Sequence, residues 1–295
     1  MRIMHRALLL ALLLCLSLLP AAAEGTGTQI AAAALPIDLT GGAVPNPEGY
    51  IGEWEYQDPT IHVVITTGRV DNCDYWMADI TIAHASQLRT MSAGGFDTNR
   101  VTRGPALAQR VNAVVAIDGD YYCYTGKGYI VRQGVEYLNI LDGDRDLLLI
   151  DEDGDFHVVF KADAGSQDGT VNGKRVINAF FFGPALVVDG KTVEGVTGRS
   201  MSENEGRQRM CIAQVGPLHY KAICCAGPAR GNAGMTLKQF ASFVAEQGVQ
   251  TAYNLDGGDS TMIIFRNEKI NDVQNASTRS ISDIIYFASA WEGEP

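Results

Sequence analysis

Short apolar runs separated by turns dominate the chain from about residue 50 onward. Most runs are about four to nine residues long and rich in Val, Ile, Thr and Tyr, as in Thr60–Thr67. Such residues pack well on a pleated sheet. Only two segments, 104–112 and 236–246, carry apolar residues at helical spacing. We therefore predict an α+β, sheet-dominated single domain with about twelve strands and two or so helices packed on the sheet.

The segment 236–246 is the clearest helix. Thr236 can cap it, Gln239 stands at the capping-box position, and Gly248 follows as a terminator. The polar, glycine-containing segment Leu88–Asn99 is instead predicted to be a surface loop.

The N-terminus resembles a targeting segment. Basic residues precede the apolar run Ala7–Leu19, and Ala21-Ala22-Ala23 offers a small-residue cleavage site. We predict a secretory signal peptide over residues 1–23, a loose lead-in over 24–49 and a domain over 50–295. The apolar run is too short for a membrane span, so the mature protein is expected to be secreted.

The charge of the chain limits its partners. Without Arg2 and Arg6, 21 of the 23 basic side chains remain against 34 acidic ones, a net charge of −13. Nucleic acid and anionic membranes are therefore unfavourable partners, whereas an anionic small molecule could still bind beside local arginines. We expect a small-molecule or glycan substrate.

Five cysteines follow the predicted signal peptide, at positions 73, 123, 211, 224 and 225. Export would permit disulfides, and an odd count leaves one thiol unpaired. Cys211 lies on a predicted hairpin opposite Cys224 and Cys225, so a cross-strand disulfide is predicted there, with a Cys73–Cys123 bridge as a further option.

Two strand ends carry carboxylates beside glycines. One predicted strand leads through Asn254 and Leu255 to Asp256, and Gly257, Gly258, Asp259 and Ser260 follow. The other ends in Asp118-Gly119-Asp120. Glycine permits close approach of the backbone to a ligand, and backbone amides at such an edge can receive an anion. Both strand ends are therefore candidate parts of one site.

The segment 234–264, with its helix, short strand and Asn-Leu-Asp-Gly-Gly block, resembles the signature of the phosphodiester glycosidase family. Further matches follow in order along about residues 110–290: Ala116–Tyr122, Gly183–Lys191, Gln208–Ala213 and Arg279–Ile284. The chain departs from the family pattern at several positions. Asp118 replaces an asparagine, Asp120 and Asp259 each replace a glycine, and Met210 replaces a threonine.

The resemblance implies hydrolysis of a sugar 1-phosphodiester, such as one of N-acetylglucosamine, at the C1–O bond with phosphate as leaving group. A carboxylate can stabilise or trap the cationic sugar, and a second can activate water. We assign Asp256 to the first role and Asp118 or Asp120 to the second. The residues expected to bind substrate or phosphate are Arg209, Arg279, Gly257, Gly258, Asp259, Ser260, Asn254 and Gly119.

Two alternatives remain open from the sequence. Loss of glycine at positions 120 and 259 is compatible with a non-catalytic extracellular domain that binds carbohydrate or phosphoglycan. Convergence of Asp118, Asp120, Asp256 and Asp259 would instead create oxygen ligands for a divalent cation such as calcium, as in a metal-dependent phosphodiesterase. No cofactor is required by the glycosidase interpretation.

Overall fold

The computed structural model describes residues 40–196, 204–271 and 279–293, which all fall within one compact unit. The predicted signal peptide, residues 1–23, and most of the lead-in lie outside the described residues. Of the lead-in, residues 40–49 include a bridge between Ala43 and Ser289 and a 3-10 turn over Pro47–Gly49.

Strands account for most of the described elements. In chain order they are β1 (Tyr50–Ile51), β2 (Glu55–Asp58), β3 (Ile61–Val70), β4 (Cys73–Ile82), β5 (Leu88–Ser92), β6 (Thr102–Arg103), β7 (Ala113–Asp118), β8 (Gly128–Arg132), β9 (Val135–Ile140), β10 (Leu147–Asp151), β11 (Phe156–Val159), β12 (Thr170–Val171), β13 (Lys174–Phe180), β14 (Ala185–Val188), β15 (Lys191–Thr192), β16 (Arg209–Gly216), β17 (His219–Cys225), β18 (Thr251–Asn254), β19 (Ile263–Phe265), β20 (Glu268–Lys269), β21 (Ser280–Ile281) and β22 (Asp283–Ala288).

The strands form three large antiparallel sheets. The nine-stranded sheet has the order β1-β2-β3-β4-β17-β16-β18-β14-β15, and the five-stranded sheet has the order β20-β19-β7-β22-β5. A six-stranded sheet has the order β11-β10-β13-β8-β9, with β12 paired to β13, and β6 pairs with β21 alone. Strands that are far apart in the sequence are neighbours in the five-stranded sheet, where β7 lies between β19 and β22.

The main hydrophobic core joins the three large sheets. Ile80 of the nine-stranded sheet, Ile117 of the five-stranded sheet and Leu148 of the six-stranded sheet belong to one buried cluster. Each such side chain contributes about 1.5–3 kcal/mol when fully removed from water. The shared core fixes the positions of strand ends that belong to different sheets.

Two α-helices cover the outer faces of the sheets. Helix α1 (Gly104–Arg110) buries Leu107 against Ala116 and Ile284 of the five-stranded sheet. Helix α2 (Leu237–Ala245) begins at the predicted capping box, in which Thr236 Oγ1 accepts from the Gln239 amide at 3.2 Å. The predicted sheet-dominated α+β fold with two helices is confirmed. Among the described residues, no helix is long and apolar enough to cross a membrane.

The prediction of a surface loop over Leu88–Asn99 is wrong for its first five residues. Leu88–Ser92 forms the edge strand β5, which pairs with β22. The polar residues are buried because they find partners: Thr90 Oγ1 donates to Gln133 Oε1, and Ser92 Oγ accepts from the Gly95 amide at 2.7 Å. Tertiary pairing here outweighs a composition typical of loops.

The predicted disulfides are also absent, since all five cysteines from Cys73 to Cys225 are free thiols in the described chain. The β16–β17 register explains this for the hairpin pair. Cys211 lies opposite Ile223, and Met210 lies opposite Cys224. Cys211 and Cys224 consequently join different hydrophobic clusters, on opposite faces of the sheet.

Candidate active site

Three segments that are distant in sequence meet at Asp256. The Asp256 amide donates to the Gly119 carbonyl at 3.2 Å, and the Gly258 amide donates to the Gln208 carbonyl at 3.2 Å. A further bond joins the Leu255 amide to the Met210 carbonyl at 2.9 Å. The two carboxylate-bearing strand ends and the start of β16 therefore form one continuous hydrogen-bonded unit.

The local sequence explains this meeting. β7 is a fully buried central strand that ends at Asp118, and β18 is a central strand of the nine-stranded sheet that ends at Asn254. The residues after each strand leave their sheets at the same place. Gly257 fits there because a β-carbon would lie 2.9 Å from the Gln208 carbonyl oxygen, a distance that real side chains do not tolerate.

A small pocket opens at this junction. Its cavity volume is about 10 Å³, enough for about one water molecule. Backbone and side chains from the three regions around residues 119, 256 and 280 line it: Gly119, Tyr121, Tyr124, Asp256, Ser260, Arg279, Ser280, Ile281, Ser282 and Asp283.

Asp256 is the carboxylate held most directly at the pocket. Its Oδ1 accepts from the Gly257 amide at 2.9 Å, and the Ser260 side chain is a further hydrogen-bond partner. Burial raises the pKa of Asp256, while the bonds from Ser260 and Gly257 and the charge of Arg279 oppose that rise. The carboxylate is thus oriented by neutral donors, and Arg279 on the rim is a nearby cation.

Asp118 lies behind Asp256 rather than on the pocket wall. Its Oδ1 accepts from the Met262 amide at 2.8 Å, whereas its buried Oδ2 has no hydrogen-bond partner in the described chain. Burial raises the pKa of Asp118 well above its usual range, and the neighbouring charge of Asp256 raises it further. A second negative charge beside Asp256 is disfavoured in this buried site, because like charges repel each other.

Asp120 is part of a buried ion pair. Its Oδ1 lies 2.8 Å from Nη2 of Arg132, and its Oδ2 accepts from the Phe181 amide at 2.9 Å. Arg132 Nη2 also lies 3.4 Å from Oδ2 of Asp283, so one guanidinium group serves two carboxylates. The carboxylate at position 120 is therefore committed to the protein interior, although the sequence suggests it as a water-activating group.

Asp283 opens strand β22 and lines the pocket. A β-carbon at Gly119 would lie 2.4 Å from Oδ1 of Asp283, so the absence of a side chain at 119 makes room for this carboxylate. Ser282 Oγ donates to the same oxygen at 3.1 Å. Burial raises the pKa of Asp283 to about 7, even though Arg132 acts in the opposite direction.

The rim of the pocket combines two aromatic rings with a cation. Tyr121 and Tyr124 stack with ring centroids 4.3 Å apart, and Tyr124 is half exposed. Cζ of Arg279 lies 5.9 Å from the Tyr121 ring centroid. An exposed guanidinium beside aromatic faces suits a ligand with a phosphate and a sugar, because arginine binds phosphate oxygens in pairs.

Several predicted anion-binding groups are engaged by the protein itself. The Gly257 amide binds Asp256, and the Gly258 amide binds Gln208. Arg209 is buried, with Nε donating to the Met235 carbonyl and Nη2 to the Glu205 carbonyl, each at 3.0 Å. Asn254 Nδ2 donates to the Gly183 carbonyl at 2.9 Å. These groups support the architecture, and Arg279 is the predicted arginine that reaches the pocket.

The four aspartates considered as cation ligands do not form one cluster. Asp120 pairs with Arg132, and Asp259 is exposed on the 3-10 turn Gly258–Ser260. Within residues 40–196, 204–271 and 279–293, no group of three acidic, histidine or cysteine side chains could hold a metal ion. The donor set therefore does not fit a resident calcium ion.

Sequence reasoning missed the contributions of Asp283 and Arg132. Asp283 belongs to the family-like segment at 279–284, but only the pairing of β22 with β7 brings it beside Gly119. Arg132 ends an otherwise apolar strand and is fully buried. A charged residue in such a strand is a signal of a buried partner, because an unpaired charge there would be too costly.

Comparison with known proteins agrees with this geometry. The profile of the phosphodiester glycosidase family matches residues 111–288, which include both strand ends and Asp283. The chain belongs to the phosphodiester glycosidase family. The resemblance noted in the sequence is thereby confirmed. No curated protein matches the chain.

Solved structures share the family fold. The catalytic domain of zebrafish N-acetylglucosamine-1-phosphodiester alpha-N-acetylglucosaminidase, auto-inhibited by its pro-peptide, superposes with a TM-score of 0.61 at 16% identity, covering 84% of this chain and 87% of that one. A hypothetical protein from Synechocystis gives 0.50 at 16% identity, with 77% and 62% covered. A protein from Burkholderia pseudomallei, described as a candidate for export, gives 0.50 at 12% identity, with 73% and 74% covered.

Proposed function

We propose that this family member is a secreted glycoside hydrolase that cleaves a sugar 1-phosphodiester at the C1–O bond. The observation that carries the proposal is the meeting of Asp256, Gly119 and Arg279 around one small pocket. A carboxylate beside the sugar carbon stabilises the positive charge that develops as the glycosidic bond breaks. The N-terminal targeting pattern supports export.

The negative charge of the leaving group accounts for the cation at the pocket rim. A phosphate monoester departs as a stable anion, with a second pKa of about 6, so it needs charge stabilisation more than a proton. Arg279 supplies that charge, while the Tyr121–Tyr124 pair offers an apolar face to the sugar. Because the cavity accommodates about one water, we place the reacting carbon at its mouth and the attacking water inside.

The decisive assay uses aryl phosphodiesters of sugars, with N-acetylglucosamine first, in oxygen-18 water. Cleavage at C1–O yields the aryl phosphate and puts the label on the sugar carbon. Cleavage at P–O puts the label in the phosphate instead, as labelled sugar phosphate with free phenol or as labelled aryl phosphate with unlabelled sugar, and would assign the protein to the phosphodiesterases. Micromolar binding of a glycan phosphate without turnover would support the non-catalytic binding domain.

The Asp256 assignment needs its own variant. Asp256→Asn is expected to lower kcat on the order of 10³-fold or more, because the amide cannot stabilise the cationic sugar. The matched control is Asp189→Asn, the same chemical change at an exposed turn residue, which should keep full activity. Full activity of Asp256→Asn would refute the role of that residue.

A further inference from the structure

We propose that Asp283, held by Arg132, is the general base that removes a proton from the attacking water. This inference rests on the proposed glycosidase function and adds a catalytic residue to it. Among the described residues, Asp283 and Asp256 are the carboxylates that line the pocket, and its cavity accommodates about one water. A base must lie within hydrogen-bond reach of the proton it takes, and a water in this cavity would lie beside the Asp283 carboxylate.

The other carboxylates are worse placed. Asp120 has both oxygens engaged, one by Arg132 at 2.8 Å and one by the Phe181 amide at 2.9 Å. Asp118 does not line the pocket, and its Oδ1 is held by Met262. Asp283 also has both oxygens engaged, Oδ1 by Ser282 Oγ at 3.1 Å and Oδ2 by Arg132 at the longer distance of 3.4 Å, but unlike Asp120 it lines the pocket.

The proton balance of the step is simple. The water oxygen forms a bond to C1, and its proton moves to a carboxylate oxygen of Asp283. If C1 is first transferred to Asp256, the water displaces that residue and the C1–O ester bond to Asp256 breaks. If the water attacks the substrate directly, the C1–O bond to phosphate breaks and the phosphate leaves with the electron pair. Asp283 then releases the proton to solvent, so the carboxylate is regenerated.

The surroundings of Asp283 set the pH at which it acts. Arg132 is the cation bound to it, and Arg279 lines the same pocket. Asp118, Asp120 and Asp256 are the nearby acids, and Tyr122 and Cys123 are the other titratable neighbours. Burial raises the pKa of Asp283 to about 7, with Arg132 opposing and Asp120 adding to the rise. The basic form exists above this value, so kcat should rise with pH through about 7.

The first test is Asp283→Ala with its isosteric companion Asp283→Asn, assayed on the aryl phosphodiester substrate. Both should lower kcat by about 10²–10⁴-fold and remove the rising limb of the pH profile. Azide is an anion that needs no base, so it should restore turnover and yield a sugar azide detectable by mass spectrometry. A merely structural role for Asp283 predicts neither the lost limb nor the azide product.

The second test keeps Asp283 and changes its neighbour. Asp120→Asn removes a negative charge from beside Asp283 and leaves Arg132 freer to pair with it, so the limb should move to lower pH, without azide rescue. This inference alone would be overturned if the rising part of the kcat–pH profile stayed at the same pH in Asp120→Asn, or if the Asp283 variants still showed it. A wild-type protein that releases no sugar from any substrate would overturn it together with the proposed function.

Discussion

The carboxylate of Asp120 and the guanidinium of Arg132 form a buried ion pair with 2.8 Å between Oδ1 and Nη2. Both side chains are almost fully excluded from solvent, at 1% and 0% exposure. The pair accounts for a carboxylate at a position where the family pattern has glycine. It also places a cation where Asp283 needs one. The departure at position 120 therefore serves the architecture of the site and does not by itself argue against catalysis.

Breaking this pair should destabilise the protein strongly. Arg132→Met is expected to cost about 3–5 kcal/mol of unfolding free energy, because it leaves the buried carboxylates of Asp120 and Asp283 without their cation. Asp120→Ala should cost less, because Arg132 keeps Asp283 as a partner. The double variant should cost less than the sum of the two. Urea unfolding of the four proteins measures the coupling. Additive losses would mean that the two side chains do not stabilise each other.

Arg279 should act on the phosphate and not on the sugar. Arg279→Ala is expected to lower kcat/KM for a sugar phosphodiester about 10–100-fold, since an exposed charge contributes less than a buried donor. Arg279→Lys should recover part of the loss, because it keeps the charge but not the planar fork. Arg110→Ala, at an exposed helix end, serves as the control. Equal losses on an aryl glycoside without phosphate would contradict this assignment.

Gly119→Ala tests the fit between two parts of the site. The new methyl group would stand 2.4 Å from Oδ1 of Asp283, so that carboxylate must move. We expect a loss of about 1–3 kcal/mol of stability together with a fall in kcat. Gly216→Ala is the matched control, because no atom lies within 4 Å of a β-carbon there. Thermal unfolding and turnover of both variants provide the measurement, and a fully active Gly119→Ala would contradict the contact.

The buried acids should make stability depend on pH. The pKa of Asp283 is raised to about 7, whereas an aspartate in the unfolded chain titrates near about 4. Between these values the folded protein holds a proton that the unfolded chain has lost. Unfolding free energy should therefore fall as pH rises from about 4 to about 7, by up to about 1.4 kcal/mol per pH unit for this residue.

Asp283→Asn cannot titrate and should lack that part of the slope. Urea unfolding of wild type and variant at several pH values across the window gives the comparison. Parallel curves for the two proteins would show that Asp283 keeps an ordinary pKa in the folded state.

The two strand ends could be found from the sequence because their signals are local. Alternating and apolar runs place Asp118 at the end of one buried strand and Asp256 just beyond another, and the capping box locates α2. The order of the family-like segments along the chain then marks both strand ends as candidate parts of one site. By contrast, β5 was missed because its polar residues are stable only beside partners such as Gln133, which lies far along the chain.

The sequence does not indicate the role of each carboxylate. Asp118, Asp120, Asp256 and Asp283 have the same side chain, and their differences come from neighbours: a backbone amide, an arginine, a pocket or a glycine.

The amino-acid sequence alone determined the sheet-rich fold, the family and Asp256 as a candidate, since short-range periodicity and motif order encode them. Only the tertiary structure decided that Arg209 turns to backbone carbonyls, that Asp120 is neutralised by Arg132, and that Asp283 joins the pocket. The physical reason is that burial and pairing of charge depend on contacts between strands far apart in the chain, which no local pattern specifies.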